Sequence, residues 1–267
     1  DNETTISSLR DKDNIPHITV EFDKNNNKFI QIQGKGNTKP NEKYYNDILK
    51  LYKELGATNY EELVGDKTFA ILNGKILLGD EAILDYPKDT VFDSVRLGTD
   101  SSIKEWNYSV SGSFNANYSN LEYVNPECVF GGSVNLAFSN VKEWHCDVPG
   151  YFNAWGCKNL EYVSHDCVFG SNVDVSYSNI KEWHCNVPDV FNAEECKNLE
   201  YVSPECKFRG SVYIEGTKIK EWHCDVDGVF DARYSELEKI SNCEIKVEIK
   251  TDNNVKIITE ETPRMRM

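Results

Sequence analysis

The sequence predicts a mainly β protein: a β-solenoid of eight short coils of about 18–21 residues, with an N-terminal α+β module and a C-terminal β-hairpin cap. The first observation is the tripeptide Lys-Glu-Trp, which occurs four times with its tryptophans 38, 39 and 39 residues apart. The second is that three copies continue as His-Cys-Asp/Asn-Val and then Phe-Asn/Asp-Ala. A fixed period of this length indicates stacked repeats that bury a shared core.

Each long repeat divides into two coils, because apolar residues recur at the first and third positions of a short strand and another closes the coil. The first positions are Val95, Phe114, Val134, Phe152, Val173, Phe191, Val212 and Phe230. The third positions are Leu97, Ala116, Leu136, Ala154, Val175, Ala193, Ile214 and Ala232, and the closing positions are Trp106, Val124, Trp144, Val163, Trp183, Val202, Trp222 and Ile240. Large residues in one coil face small residues in the next, so we expect the tryptophans in a dense core.

The segment Phe152-Asn-Ala-Trp-Gly-Cys157-Lys-Asn-Leu160-Glu-Tyr-Val163 and its copy from Phe191 to Val202 resemble leucine-rich repeats, in particular the treponemal-type and phage-encoded variants. The resemblance covers residues 94–242. It departs from the family in using Trp and Val where leucine dominates, and its coils are too short for a convex helix. The resemblance implies a leucine-rich-repeat-like interaction protein, and a helix-free β-solenoid is the alternative fold.

The segments outside the predicted solenoid domain, 94–242, have patterns of their own. We predict a disordered tail at 1–14, an α+β module at 15–66, a strand and hairpin connector with an N-cap at 67–93, a C-terminal cap hairpin at 243–261, and a tail at 262–267. Within the module, His17 to Phe22 and Lys28 to Gln33 predict a hairpin, and Asn41 to Leu55 predicts an amphipathic helix that Gly56 ends. The module is either a cover for the first coil or a separate binding domain.

Two further hairpins are predicted from turn signals between apolar runs. Asn73-Gly74 divides the run from Phe69 to Leu78. At the other end, Glu244 to Lys250 and Val255 to Thr259 flank a polar turn and are expected to cap the exposed edge of the stack.

The charge balance limits the class of partner. The chain has 29 basic and 44 acidic residues, a formal charge of −15. Such a surface repels phosphate backbones and anionic lipids, so we expect a protein partner with a basic surface and no direct nucleic-acid or membrane binding. No apolar run is long enough to span a membrane. The odd number of nine cysteines favours free thiols and a cytoplasmic setting, with secretion as the alternative.

No residue pattern nominates catalysis, a metal or a cofactor. His145-Cys146, His184-Cys185 and His223-Cys224 contain zinc-type ligands, but copies two coils apart should lie about 10 Å from one another, too far for one ion. Cys157 and Cys196 fall at a small turn position that holds Ser or Thr in other coils. We interpret these cysteines as buried structural residues, and a hydrolase of the parallel β-helix kind is the enzymatic alternative.

The outward residues of the strands are the candidate partner-binding residues, on a face predicted to be concave. The candidate set is Tyr151, Asn153, Trp155, Asp174, Asn192, Glu194, Tyr213, Glu215, Asp231 and Arg233. Trp155 is the strongest candidate, because an exposed tryptophan buries a large area on binding at low entropic cost. The acidic members favour a basic partner.

The sequence therefore predicts a non-enzymatic interaction module that binds a macromolecule. A specific form is a phage or mobile-element inhibitor that occupies the nucleic-acid groove of a basic host protein. The alternative is a secreted or surface leucine-rich-repeat protein that binds carbohydrate or host protein.

Overall fold

The computed structural model describes residues 4–57, 59–99, 101–252 and 254–258. It is mainly β, with 32% strand and 10% helix, and contains a β-solenoid of about nine turns behind a small helical N-terminal region. This confirms the predicted fold class. The predicted tail at 262–267 lies outside the described residues.

The N-terminal module is an antiparallel sheet covered by two helices. The strands β1 (Thr4–Arg10), β2 (Pro16–Asp23) and β3 (Lys28–Gln33) lie in that order in the sheet, followed by α1 (Tyr45–Leu55) and α2 (Glu61–Val64). Strands β2 and β3 confirm the predicted hairpin. The strand β1 was not predicted: it adds to the outer edge of β2 and satisfies main-chain groups that a disordered tail would leave unpaired. The prediction of a disordered tail is therefore wrong for residues 4–10.

The helix α1 has one apolar face, as its sequence predicts. Tyr45, Ile48, Leu49 and Tyr52 are all buried against the sheet, at the three- and four-residue spacing that puts side chains on one side of a helix. Gly56 ends the helix with φ at 66°, a left-handed conformation that glycine adopts without steric cost.

After the module, the chain forms the hairpin β4 (Phe69–Leu72) and β5 (Lys75–Leu78) and then the short helix α3 (Asp80–Leu84). Asn73 and Gly74 have φ values of 52° and 70°, as a two-residue turn with two left-handed residues requires, so the hairpin prediction is confirmed. The hairpin belongs to both cores of the protein. Phe69 packs into the module, whereas its neighbour Ala70 packs into the solenoid.

The solenoid strands are two or three residues long. In chain order they are β6 (Val91–Phe92), β7 (Ser94–Arg96), β8 (Glu105–Trp106), β9 (Ser109–Val110), β10 (Phe114–Asn115), β11 (Tyr123–Val124), β12 (Val134–Asn135), β13 (Glu143–Trp144), β14 (Phe152–Asn153), β15 (Tyr162–Val163), β16 (Val173–Asp174), β17 (Glu182–Trp183), β18 (Phe191–Asn192), β19 (Tyr201–Val202), β20 (Val212–Tyr213), β21 (Glu221–Trp222), β22 (Val229–Asp231), β23 (Lys239–Ser241), β24 (Glu248–Lys250) and β25 (Lys256–Ile258).

Strands from successive coils pair in parallel along three ladders. The longest is a sheet in the order β24-β22-β20-β18-β16-β14-β12-β10-β7-β4-β5, in which the hairpin β4–β5 joins antiparallel and covers the first edge. The second ladder consists of four separate short sheets at the closing residues: β8 with β11, β13 with β15, β17 with β19, and β21 with β23 and β25. The third begins with β6 and β9 and continues as single bridges such as Val148 to Phe169. The described residues between 94 and 258 include no helix, so the coils have the helix-free form.

The predicted core positions are all buried. Every first, third and closing residue from Val95 to Ile240 is at most 6% exposed. Each of the four repeating tryptophans also satisfies its indole N–H, which donates to the carbonyl oxygen two residues later at 2.6–2.8 Å. The tryptophans can therefore be fully buried without leaving an unpaired donor.

The aromatic residues of the core form a continuous column along the solenoid. Between two copies of the repeat, ring centroids are 5.1 Å apart for Trp144 and Phe152, 5.2 Å for Phe152 and Phe169, and 5.7 Å for Phe169 and Trp183. The same contacts continue from Trp106 to Phe230. Phe169 and its equivalents Phe130 and Phe208 come from the third ladder, which the sequence did not predict. They place a second large ring in three of the four phenylalanine coils, whereas the coil of Phe230 has Ile245 at this place.

The C-terminal segment does not form the predicted hairpin. Instead β24 pairs in parallel with β22, and β25 pairs in parallel with β23. Ile249 follows Phe230 in the first-position ladder, so the segment forms a ninth coil. The physical reason is that the eighth coil offers an open parallel edge on two ladders, and pairing along it buries more backbone than a local hairpin would.

The tightness of the column gives a stability prediction. We expect Trp183→Ala to lower the free energy of unfolding by about 3–5 kcal/mol, because it opens a cavity between two coils and removes contacts to both neighbouring rings. Urea denaturation followed by circular dichroism measures the change. Trp155→Ala is the matched control, since Trp155 is 41% exposed and its loss should cost much less. A Trp183→Ala cost below about 1 kcal/mol would contradict the packing.

Candidate interaction surface

All ten predicted binding residues lie on the outward side of the long sheet, on five neighbouring coils. We call this side the strand face; it contains the outward residues of β10, β12, β14, β16, β18, β20 and β22 and the turn residues that directly follow these strands. Trp155 and Arg233 are exposed, Tyr151 is 38% exposed, and Asp231 is buried. The other predicted residues of the strand face are half-buried.

Several of these residues shape the backbone of their own coil. The Asn153 side-chain oxygen accepts a hydrogen bond from the backbone N–H of Trp155 at 3.0 Å, and Asn192 holds Glu194 in the same way at 3.0 Å. Asp174 likewise accepts from the backbone N–H of Ser176. This contact explains why Asn or Asp recurs directly after the first core residue, since a short side-chain acceptor closes the turn. These three residues position their neighbours two places along the chain.

An exposed aromatic stripe crosses four coils of the strand face. We define it as Tyr118, Phe138, Trp155 and Tyr177. Ring centroids are 4.7 Å apart for Tyr118 and Phe138, 4.6 Å for Phe138 and Trp155, and 6.5 Å for Trp155 and Tyr177. Tyr118, Trp155 and Tyr177 are 55%, 41% and 51% exposed. Trp155 therefore belongs to a contiguous aromatic surface.

Three members of the aromatic stripe have a left-handed backbone conformation. Tyr118, Phe138 and Tyr177 have φ values of 56°, 57° and 58°, in the left-handed region that bulky residues rarely occupy. Gly156 and Gly216 hold the equivalent place in other coils, where the same conformation costs little. Glu195 and Tyr234 have the same conformation at the equivalent place, so a left-handed residue here is a feature of the coil turn, and it points the aromatic side chains of the stripe outward.

The glycine in the stripe has a packing role as well. A Cβ at Gly156 would lie 2.6 Å from the Phe138 ring, so Phe138 occupies the space that a side chain would fill. Trp155 packs edge-on against that same ring. The absence of a side chain at Gly156 therefore allows the rings of Phe138 and Trp155 to meet.

A cluster of four carboxylates lies beside the stripe, beginning on the coil of Tyr177 and continuing over the next three coils. We define the carboxylate cluster as Asp174, Glu194, Glu215 and Asp231. Arg233 is its cationic partner: its guanidinium lies 2.9 Å from a Glu215 oxygen and 2.8 Å from an Asp231 oxygen. One arginine faces four carboxyl groups, so the cluster keeps excess negative charge when all four are ionised.

This excess negative charge affects the pKa of Glu194. A hydrogen bond with the Glu215 carboxyl group, partial burial and the negative charges of Glu215, Asp174 and Asp231 raise the pKa of Glu194 to about 7. Glu194 is consequently half-protonated near neutral pH. A cation placed beside it would favour the charged form and release the proton.

The cysteines have the environment of structural residues. All nine are free, and eight of them are buried. Cys157 and Cys196 donate to carbonyl oxygens of the preceding coil, and burial raises the pKa of Cys196 to about 11. A thiol that stays protonated at neutral pH is a poor nucleophile. This agrees with the sequence interpretation of these two cysteines as buried turn residues.

Within the described ranges, no three His, Cys, Asp or Glu residues are grouped so that they could hold a metal ion. In the same part of the chain, no helix is long and apolar enough to cross a membrane. No protein-family model matches the chain, and no match is found among curated proteins or among solved structures.

The sequence identified Trp155 and the acidic residues but missed the rest of the stripe. The signal was present, because an aromatic residue directly before the small turn residue recurs at Tyr118, Phe138, Tyr177 and Tyr234. The sequence gives no sign of their left-handed backbone, which points these side chains out of the coil.

The raised pKa of Glu194 predicts a pH dependence of stability. The unfolded chain releases the Glu194 proton near pH 4.5 but the folded protein only near pH 7, so ionisation favours unfolding as pH rises between these values. As the pH rises from 4.5 to 7, the free energy of unfolding of the wild-type protein should fall relative to that of Glu194→Gln. Above pH 7 the difference between the two proteins should stay constant. Urea denaturation at several pH values measures the difference.

The matched control for this titration is Glu161→Gln. Lys181 lowers the pKa of Glu161, so Glu161→Gln should not alter how the free energy of unfolding changes between pH 4.5 and 7. Parallel pH profiles for the wild-type protein and Glu194→Gln would contradict the assignment of this titration to Glu194.

Proposed function

We propose that this chain is a non-enzymatic protein-interaction module that binds a basic protein surface through the aromatic stripe and the carboxylate cluster. The observation that carries the proposal is the contiguous, exposed stripe next to a carboxylate cluster that one arginine does not neutralise. Rigid aromatic anchors and complementary charge are the two features that give protein interfaces affinity and fast association.

The two parts of the surface have separate tasks in this proposal. The rings of Trp155 and Tyr177 offer apolar area that a partner can bury at low entropic cost. Glu194 and Glu215 on the following coils attract lysine or arginine side chains. A bound cation also lowers the pKa of Glu194, so binding should release a proton and strengthen as pH rises through 7.

The more specific form of the proposal is an inhibitor that occupies the nucleic-acid groove of a host protein. The formal charge of −15 supports it, because a basic groove that evolved for phosphates attracts an acidic protein. Resemblance to phage-encoded leucine-rich-repeat variants fits such a role. That the repeats are of the leucine-rich type is also a proposal. The coils have no helix and use Trp and Val where such repeats have leucine, so this proposal rests on the resemblance of the repeated segments.

A selection from a library of random displayed peptides tests the proposal without a known partner. We expect the wild-type protein to enrich peptides that combine Lys or Arg with an aromatic or aliphatic residue. Trp155→Ala and Glu194→Lys should each lower the affinity for the enriched peptides at least about tenfold, as measured by fluorescence polarisation, since each removes about 1.4 kcal/mol or more of binding free energy. Affinity should also fall with salt.

The matched control changes another face of the same solenoid. Tyr162→Ala and Glu161→Lys alter an exposed tyrosine and an exposed glutamate away from the strand face and should leave peptide affinity unchanged. The proposed surface would be refuted if the enriched peptides had no basic residues. It would also be refuted if the control variants lost as much peptide affinity as Trp155→Ala and Glu194→Lys.

A further inference from the structure

A second surface of the solenoid repeats more strictly than the strand face, because whole sets of its exposed residues recur without change. It flanks the closing core residues, and we call it the regular face. It contains three equivalent sets: Glu122, Tyr123, Lys142, Glu143 and His145; Glu161, Tyr162, Lys181, Glu182 and His184; and Glu200, Tyr201, Lys220, Glu221 and His223.

The geometry of the sets also repeats. The imidazole Nε2 lies 3.1, 3.0 and 3.1 Å from the glutamate two residues earlier in the three sets. His145 lies against Tyr162 and His184 against Tyr201, with ring centroids 5.6 Å apart in both pairs. Tyr123, Tyr162 and Tyr201 are 42%, 42% and 45% exposed.

Two of the sets open into grooves of similar size. A groove of about 470 Å³ is lined by Tyr162, Glu143 and Glu182. A groove of about 590 Å³ surrounds Tyr201 and includes Glu221 and His223. Grooves of this volume suit small ligands or single units of a polymer.

Duplication of the repeat alone does not explain this regularity. Equivalent exposed positions on the strand face hold Asn117, Trp155, Glu194 and Arg233, so exposed residues have diverged freely in the same coils. Core packing does not require the regular residues either, since the side chains of Glu143 and Glu182 are 59% and 63% exposed. Surface ion pairs such as Lys181 with Glu161 contribute little to stability.

A ligand that itself repeats would explain why the sets stay identical. The tyrosines lie two coils apart, which is about 10 Å at the spacing of paired strands. An extended disaccharide unit of a β-1,4-linked polysaccharide has about this length. Its pyranose rings can pack on tyrosine through their C–H faces, and its hydroxyl groups can donate to glutamate and accept from lysine or histidine. Each set has two glutamates and one lysine, and this excess of negative charge favours a neutral polymer over a polyanion.

We propose that the regular face binds a neutral, linear β-1,4-linked polysaccharide, with Tyr123, Tyr162 and Tyr201 as successive sugar platforms. Each platform contributes weakly, and three in a row give affinity because they act on one chain. This proposal is independent of the strand face and its basic partner.

Isothermal titration calorimetry with defined oligosaccharides tests the proposal. The long ligands are cellohexaose and chitohexaose, and the short ligands are cellobiose and chitobiose. Maltohexaose is the α-linked control. We expect at least one β-1,4 hexasaccharide to bind at least about tenfold more tightly than its disaccharide, and maltohexaose to bind more weakly than the hexasaccharide. Tyr162→Ala should weaken binding about tenfold and Tyr162→Ala with Tyr201→Ala about a hundredfold, whereas Tyr162→Phe should stay within about twofold.

Tyr177→Ala, an equally exposed tyrosine on the strand face, is the matched control and should leave glycan affinity unchanged. Thermal melts verify that each variant is folded. The proposal is overturned if neither hexasaccharide binds, if binding survives the double tyrosine substitution, or if maltohexaose binds equally well. It is also overturned if the tyrosine variants change only the oligomeric state, since the regular face would then be a contact between copies of this chain.

Discussion

Direct stacking of equivalent residues is the constraint on which the rest of this structure depends. Parallel pairing in register places each first, third and closing residue directly above its equivalent, at about 4.8 Å per coil. In the closing positions the indole of one coil pairs with the smaller Val or Ile of the next coil, whereas two alanines at successive third positions would leave a void. The alternation of Val, Leu and Trp with Phe, Ala and Val prevents such voids, because each layer fills the space that its neighbour leaves.

The same constraint explains the two surfaces. Once core residues occupy alternate positions of each short strand, the outward positions are free to diverge or to repeat. On the strand face, an Asn or Asp closes the turn in most coils, while the residue two places on varies from Trp155 to Glu194. On the regular face, Tyr162 and Tyr201 keep the same neighbours in each copy. One scaffold therefore carries an irregular face and a periodic face.

Much of the fold could be predicted from the sequence, because its signals are local and repeated. The coil positions, the buried tryptophans, the helix before Gly56 and the hairpin at Asn73 follow from spacing and turn chemistry. The third ladder could not be predicted, since Phe169 pairs through a single bridge that leaves no strand pattern. The ninth coil was missed because a local hairpin and a parallel edge strand have the same alternation, and only pairing at long range distinguishes them.

The candidate surface could be predicted only in part for a related reason. Charge and exposure at Glu194 follow from strand alternation, whereas the stripe depends on the left-handed backbone of Tyr118, Phe138 and Tyr177. That conformation is set by hydrogen bonds between coils, such as Phe138 N–H to the Trp155 carbonyl oxygen at 2.9 Å. Sequence patterns within one coil do not contain this information.

A double-mutant cycle between neighbouring layers tests the central claim most directly. Leu136→Ala should open a cavity that costs about 2–5 kcal/mol, and Ala154→Leu should overpack the next layer at about 1–3 kcal/mol. Because the two side chains share one space, the double substitution should cost less than the sum by about 1 kcal/mol or more. Additive costs, within about 0.5 kcal/mol, would contradict an account in which the size of each core residue is set by its neighbour in the stack.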